Sequence, residues 1–321
     1  MKVRIGVLGC SSFAKRLFIP NALAFGKIEI VGVASRSKEK ADEYAALFNC
    51  QAFYTYEAIL NDQSMDAIYM PLPISMHKEW MIAALKAGKH VLVEKSFTES
   101  LADTREVLEL AKAKQLCVFE NFMFPYHSQI QIVKDALQTG KIGTLRQLKS
   151  SFGFPQFDAD SNIRYKKSLG GGALLDAGAY TLMAAQIFLG TELEVIGASL
   201  NNMSNEVDFD GTALLTNKEG VSGLLSFGFD HFYQNNIELW GSKGRIVMKR
   251  AFTAGPGIKP VVEIESAEGI ESIECAADNH FFKMFEVFVK GCTGSYDLQY
   301  EQLYNQSRLI TEIVSKAKYF S

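Results

Sequence analysis

A lysine stands at the end of a short apolar run, His90-Val91-Leu92-Val93-Glu94-Lys95-Ser96. HVLV reads as a buried strand, and the carboxyl ends of strands in an open parallel sheet are where ligands bind. Burial favours a neutral amine, so Lys95 there exchanges a proton near neutral pH and serves as an acid/base centre. The plainer alternative is a solvated lysine paired with Glu94. A second pair, Asp176 and Tyr180, lies four residues apart in a helix predicted over about 174–188. That spacing puts a carboxylate and a phenol on one helical face, where one substrate can meet both. The alternative is a polar stripe in a packed helix. The entrance Gly170-Gly171-Gly172 weighs against it, because three glycines are costly unless backbone packs closely there.

A third constellation points to a dinucleotide. The strand Val3 to Leu8 runs into Gly9-Cys10-Ser11-Ser12-Phe13-Ala14 and a helix through about Phe25. Strand, tight turn and helix N-terminus receive a pyrophosphate. With Gly9 as first glycine of the fingerprint, Ser11 takes the second place and Ala14 the third. The next strand, Ile28 to Ala34, ends where a carboxylate would take the ribose hydroxyls of NAD. Here Ser35-Arg36-Ser37-Lys38 follow, without an acid. A cation and hydroxyls suit a 2′-phosphate, so NADP is favoured and NAD is kept as possible. The alternative is that Arg36 and Lys38 simply open a solvated helix.

Around these groups the first 122 residues alternate six strand-like runs with helices, a doubly wound Rossmann domain. The fourth strand, Ala67 to Met70, is followed by Pro71-Leu72-Pro73-Ile74-Ser75-Met76-His77, with Ser75 a candidate cap for the next helix. The sixth run ends at Glu120-Asn121. From 123 onward strand-like runs succeed one another at 145–154, 194–202, 210–217, 221–229, 235–240, 244–249, 261–265 and 270–275. These predict an α+β domain over 123–321 with a large, mostly antiparallel sheet. Helices near 280–292 and 299–317 are expected to return to the Rossmann domain. The fold class is α/β with this second domain.

The chain has 33 basic and 36 acidic residues and a net charge of −3, which gives no reason to expect nucleic acid or an anionic membrane as partner. No apolar run reads as long enough to span a bilayer. MKVRIGVLG lacks a signal-peptide core, and five cysteines without CxxC spacing suit a reduced, cytoplasmic protein. Five scattered histidines show no ligand spacing, so no metal is expected. Neither a G-x-S-x-G elbow nor a Cys/His pairing supports nucleophilic catalysis.

Taken in order, the turn at Gly9, the Pro71–His77 loop, Glu94-Lys95, Asp176-x-Gly-x-Tyr180 and Trp240-Gly241-Ser242-Lys243-Gly244 resemble the Gfo/Idh/MocA oxidoreductases over essentially the whole chain. The resemblance implies hydride transfer between carbinol and ketone, with the motif lysine as acid/base. It implies a second domain whose open sheet often forms the oligomer interface, hence a homodimer or homotetramer. Three further segments look most like the sugar-nucleotide 3-ketoreductases. They are Glu120-Asn121-Phe122-Met123-Phe124 with His127-Ser128-Gln129, Asn162-Ile163-Arg164-Tyr165, and GGGALLDAGAY with Ala184-Ala185-Gln186-Ile187-Phe188-Leu189-Gly190.

That branch implies NADPH and reduction of the carbon-3 ketone of a nucleotide-linked keto-deoxysugar, with Lys95 and Tyr180 catalytic. The cofactor contacts implied are Gly9, Ser11, Ser12, Phe13, Ala14, Ser35, Arg36, Pro71, Leu72, Pro73, His77, Glu94, Lys95, Asn121 and Arg164. The substrate contacts implied are Lys95, Arg164, Asp176 and Tyr180. Ser96 replaces the proline usual after the lysine, and Tyr180 replaces a frequent histidine. The other readings are a free-sugar, inositol or dihydrodiol dehydrogenase, and a cofactor-sensing protein without turnover.

Overall fold

The computed structural model describes residues 2–157 and 162–321. The chain divides into two compact units, one made of the residues up to Phe122 with Phe281–Tyr304, the other of Met123–His280 with Asn305–Ser321. The helix Tyr300–Lys316 is thus shared between them.

The first unit holds six parallel strands: β1 (Val3–Leu8), β2 (Ile28–Ala34), β3 (Gln51–Phe53), β4 (Ala67–Met70), β5 (His90–Val93) and β6 (Val118–Glu120). Their order is β3-β2-β1-β4-β5-β6, the doubly wound arrangement with its switch point between β1 and β4. These strands are near-continuous apolar runs because helices cover both faces; every residue of β4 is buried. The crossover helices start where a hydroxyl can take a free N–H. Ser37 accepts from Lys40, Thr55 from Ala58 and Ser100 from Asp103, each worth about 1 kcal/mol. Ser75 does not act this way: it lies in a 3₁₀ turn, Ile74–Met76, and the helix His77–Lys86 has no side-chain cap. The later helix His280–Cys292 lays Phe285 against Phe18 and Phe288 against Phe119.

The second unit is built on nine strands: β7 (Leu145–Phe154), β8 (Leu193–Asn201), β9 (Asp210–Asn217), β10 (Ser222–Phe229), β11 (Gln234–Gly241), β12 (Gly244–Met248), β13 (Val261–Ser266), β14 (Gly269–Glu274) and β15 (Ala317–Phe320). The order is β14-β13-β12-β11-β7-β10-β9-β8-β15. Pairing is antiparallel except for β7 with β10 and β8 with β15. β15 was hidden from the sequence reading. Its four residues continue an amphipathic helix pattern, and only the free edge of β8 makes a strand of them.

One face of this sheet carries the run Lys167–Leu189, which is long and apolar enough to cross a membrane and so corrects the expectation that no such run exists. Of its most apolar window, 72% is buried inside the protein, as in a core helix. Gly178 allows the close approach: a Cβ there would lie 3.1 Å from the Phe227 ring. The Trp240–Gly244 motif is the β11–β12 turn. A Cβ on Gly241 would collide with the Ile142 carbonyl, and Ser242 Oγ accepts the Thr144 N–H at 3.0 Å.

Candidate active site

The carboxyl edge of the parallel sheet brings together the ends of β1, β2, β4, β5 and β6. Gly9 follows β1 with φ +118°, and a Cβ there would sit 2.8 Å from the Leu72 side chain. Only glycine lets this turn lie against the Pro71–Leu72 segment. Ser11 Oγ accepts the Ala14 N–H at 3.1 Å, which leaves the hydroxyl hydrogen to donate elsewhere. Beyond Ser12 and Phe13 the helix opens with a π turn, Ala14–Phe18. At the end of β2, Ser35 is buried and its Oγ accepts the Ser37 N–H at 3.1 Å. Arg36 is exposed, near enough to the Tyr56 hydroxyl to favour its ionisation, although burial raises that phenol overall. The Cys10 thiol is turned toward the Ala34 and Lys40 carbonyls, and burial pushes it up to about 11.

Glu94 and Lys95 leave β5 half-buried. Glu94 Oε1 accepts from the Tyr69 hydroxyl at 2.6 Å and from Asn121 Nδ2 at 2.5 Å. Tyr69 in turn stacks on Phe18, with ring centroids 3.4 Å apart. Burial raises the Glu94 carboxyl, and these two donors only partly oppose it. The Lys95–Ser96 peptide bond is cis.

His77, placed among the cofactor contacts by the resemblance, has its ring turned to backbone carbonyls. It is fully buried, Nε2 faces the Leu72 carbonyl at 2.9 Å, and Nδ1 faces the Ser96 carbonyl at 2.9 Å. Burial lowers its pKa against the pull of these carbonyls, and the ring lies between the Pro71–Pro73 loop and the Lys95–Ser96 turn.

A dinucleotide fits this edge. Backbone N–H groups of a helix start follow Gly9, no acid stands at the end of β2, and Asn121 Oδ1 is buried with no hydrogen-bond partner among the described residues.

In the second unit Arg164 Nε donates to Asp176 Oδ2 at 2.6 Å, and its guanidinium lies over the Phe157 ring, 5.2 Å from the centroid. The structure thus joins Arg164 to Asp176. It changes the relation of Asp176 to Tyr180, because Leu174–Gly178 is a π turn and only Ala179–Leu189 is α-helical. A wider turn does not stack residues four apart as an α-helix does, and π turns recur at functional sites. Tyr180 is set among Phe124, Phe152 and Phe252, with ring centroids 5.1–5.8 Å away.

The glycine entrance has a physical cause. A Cβ on Gly171 would collide with the Arg164 carbonyl, and one on Gly172 (φ +125°) with Asp208 Oδ1. Asp208 Oδ2 accepts the Leu174 N–H at 2.6 Å and so caps this segment from 34 residues away. Burial raises the Asp208 carboxyl from 3.8 to about 6. The folded state therefore holds this proton after the unfolded chain has released it. The contribution of Asp208 to stability falls as pH rises from about 4 to about 6 and stays lower above. In Asp208→Asn that contribution is absent. Urea melts across this window should show a wild-type stability that falls relative to the variant as pH rises; parallel curves would contradict the assignment.

Asp208, Tyr69 and Glu120 were not singled out from sequence. Glu120 carried a signal, an acid inside an apolar strand at the ligand edge. Tyr69 read as an ordinary strand aromatic, and nothing local linked Asp208 to residue 174.

Residues 3–122 match the model of the Gfo/Idh/MocA oxidoreductase family, NAD-binding Rossmann fold, and residues 130–247 match the Gfo/Idh/MocA C-terminal domain. The chain is 43% identical over 289 residues to a dTDP-3,4-didehydro-2,6-dideoxy-alpha-D-glucose 3-reductase of Saccharopolyspora spinosa, covering 90% of this chain and 87% of the relative. It is 44% identical over 271 residues to the enzyme of that name from Streptomyces violaceoruber, covering 84% and 79%. Among solved structures, a 3-ketoreductase from Actinomadura kijaniata in complex with NADP and TDP-benzene superimposes with a TM-score of 0.96 at 36% identity, covering 100% of this chain and 99% of that one. The fold and these matches define an oxidoreductase built on a dinucleotide domain. The chain belongs to the Gfo/Idh/MocA oxidoreductase family.

Proposed function

We propose that this protein is an NADP(H)-dependent reductase of the carbon-3 ketone of a nucleotide-linked keto-deoxysugar. The observation that carries this reading is the match to sugar-nucleotide 3-reductases over nine-tenths of the chain, with Lys95 at the carboxyl end of β5. Bound NADPH supplies the hydride. Lys95 protonates the developing alkoxide, and Tyr180 donates a second hydrogen bond to it; donors aimed at that charge stabilise it strongly. Ser35 and Arg36 hold the 2′-phosphate, and the amides after Gly9 hold the pyrophosphate. Glu94, fixed by Tyr69 and Asn121, orients the start of the Lys95 turn. Arg164 and Asp176 bind substrate as a pair.

The test is NADPH consumption with a panel of ketones and alcohols. Turnover is expected with nucleotide-linked 3-keto-6-deoxysugars. Turnover only with free aldoses, inositols or dihydrodiols would move the protein to the dehydrogenase branch. Tight NADPH binding without any turnover would make it a sensor.

The reading includes a reducing, cytoplasmic setting, in keeping with five cysteines that stand as free thiols. It also includes a homo-oligomer formed through the outer face of the nine-stranded sheet. Leu214 and Leu224 are direct cross-strand partners there, both exposed, with Ile196 on the neighbouring strand. Lys149 and Glu238 alongside give the face both charge signs, which suits a second copy of itself. Leu214→Glu should turn a dimer or tetramer into a monomer in light scattering. A monomeric wild type would contradict this part.

A further inference from the structure

The segment that carries Asp176 takes its cap from far away in the chain. At Ser37, Thr55 and Ser100 a helix start takes an oxygen from the residue that precedes it. Ala173 stands at that place here and has no oxygen to give. The first N–H groups of a helix must find acceptors outside it. Asp208 supplies two: its backbone carbonyl accepts the Ala173 N–H at 2.8 Å, and its Oδ2 accepts the Leu174 N–H at 2.6 Å. This arrangement requires Gly172 at φ +125°, because a Cβ there would collide with Asp208 Oδ1. A serine or aspartate at 173 would cap the segment without that demand.

Asp208 is tied to the sheet through its neighbour. The Phe209 N–H bonds the Asn201 carbonyl and the Phe209 carbonyl accepts the Phe229 N–H, both at 2.7 Å. The Phe209 ring stacks on Tyr165, with centroids 5.2 Å apart. Two consecutive residues therefore hold the two halves of one pair, Phe209 beside Arg164 and Asp208 below Asp176. The halves close on each other. The Gly172 N–H bonds the Arg164 carbonyl at 2.9 Å, the Asp176 N–H bonds the Gly172 carbonyl at 3.0 Å, and Arg164 Nε donates to Asp176 Oδ2 at 2.6 Å. A local cap would fix the turn alone. The distant one fixes it relative to the loop that brings Arg164.

We propose that Asp208 is a positioning residue for substrate: through the Leu174 N–H it sets Asp176 against Arg164, and so governs the affinity of that pair for the sugar nucleotide. The proposal rests on the reading of Arg164 and Asp176 as substrate ligands. What matters is an acceptor oxygen at the right distance, and not the charge. Asp208→Asn keeps the acceptor and loses the charge; Asp208→Glu keeps the charge and moves the acceptor by one methylene.

The test is steady-state kinetics with the nucleotide-linked ketone, beside calorimetric titration of NADPH. Asp208→Ala and Asp208→Glu raise KM for the ketone roughly tenfold, the scale of a lost cap, with kcat within about threefold and NADPH affinity unchanged. Asp208→Asn stays within about threefold of wild type in both constants. Where Asp208→Ala does not fold, the contrast between Glu and Asn decides. Arg164→Ala also raises KM, and adding Asp208→Ala to it raises KM no further, since the two act through one pair. A wild-type KM in Asp208→Glu, equal losses in Asn and Glu, or additive losses in the double variant would overturn the proposal while leaving the Arg164 effect in place. A wild-type KM in Arg164→Ala would instead remove the pair as substrate ligands, and the proposal with it.

Discussion

Lys95→Ala lowers kcat by roughly a hundred- to ten-thousand-fold, the usual worth of a positioned general acid, with KM for the sugar nucleotide little changed. The alkoxide that forms on hydride arrival must take a proton, and in the proposed mechanism Lys95, just past the carboxyl end of β5, is its source. Water has to replace it in the variant, so the loss falls on the chemical step and not on binding. The Tyr69 and Asn121 hydrogen bonds to Glu94, and the His77 contact with the Ser96 carbonyl, do not involve the Lys95 side chain. A normal Tm accompanying the lost turnover separates chemistry from folding. A variant turning over within about threefold of wild type would sink the assignment of Lys95 as general acid.

The second large effect is on cofactor choice. Arg36→Ala weakens NADPH binding by roughly ten- to a hundred-fold, the worth of one charge-assisted hydrogen bond lost from a phosphate. NADH, which lacks that phosphate, should bind the variant and the wild type alike. Calorimetric titration of both cofactors on both proteins checks this without turnover. Equal losses for NADPH and NADH would place Arg36 away from the 2′-phosphate and return the selectivity to Ser35 alone.

What was legible in the sequence was what depends on neighbours in the chain. Strand-ending residues such as Gly9, Ser35, Lys95 and Asn121 could be set at one edge because a doubly wound sheet aligns all strand ends. The helix after Gly170-Gly171-Gly172 was visible from composition, but the reason for the glycines was not. They clear the Arg164 carbonyl and the Asp208 carboxylate, which fold back onto the turn from distant segments. The π turn at Leu174–Gly178 was likewise invisible, since apolar spacing does not separate it from an α-helical turn, and it undid the four-residue argument for Asp176 and Tyr180. A structural role was the commoner reading for His77 in a first helical turn, and the fold supplies the partners, with both ring nitrogens facing carbonyls. Ser75 was a reasonable cap by type, but a short 3₁₀ turn moved the helix start past it.

The destination of the hydride tests the proposed reaction most directly. NADPH deuterated at the transferring position of the nicotinamide should be supplied with a dTDP-linked 3-keto-6-deoxysugar, and the product examined by mass spectrometry and proton NMR. The prediction is one deuterium, on carbon 3 of the sugar, and its absence from the Lys95→Ala reaction over the same time. Oxidised cofactor with no label in the sugar, or label at another carbon, would contradict it.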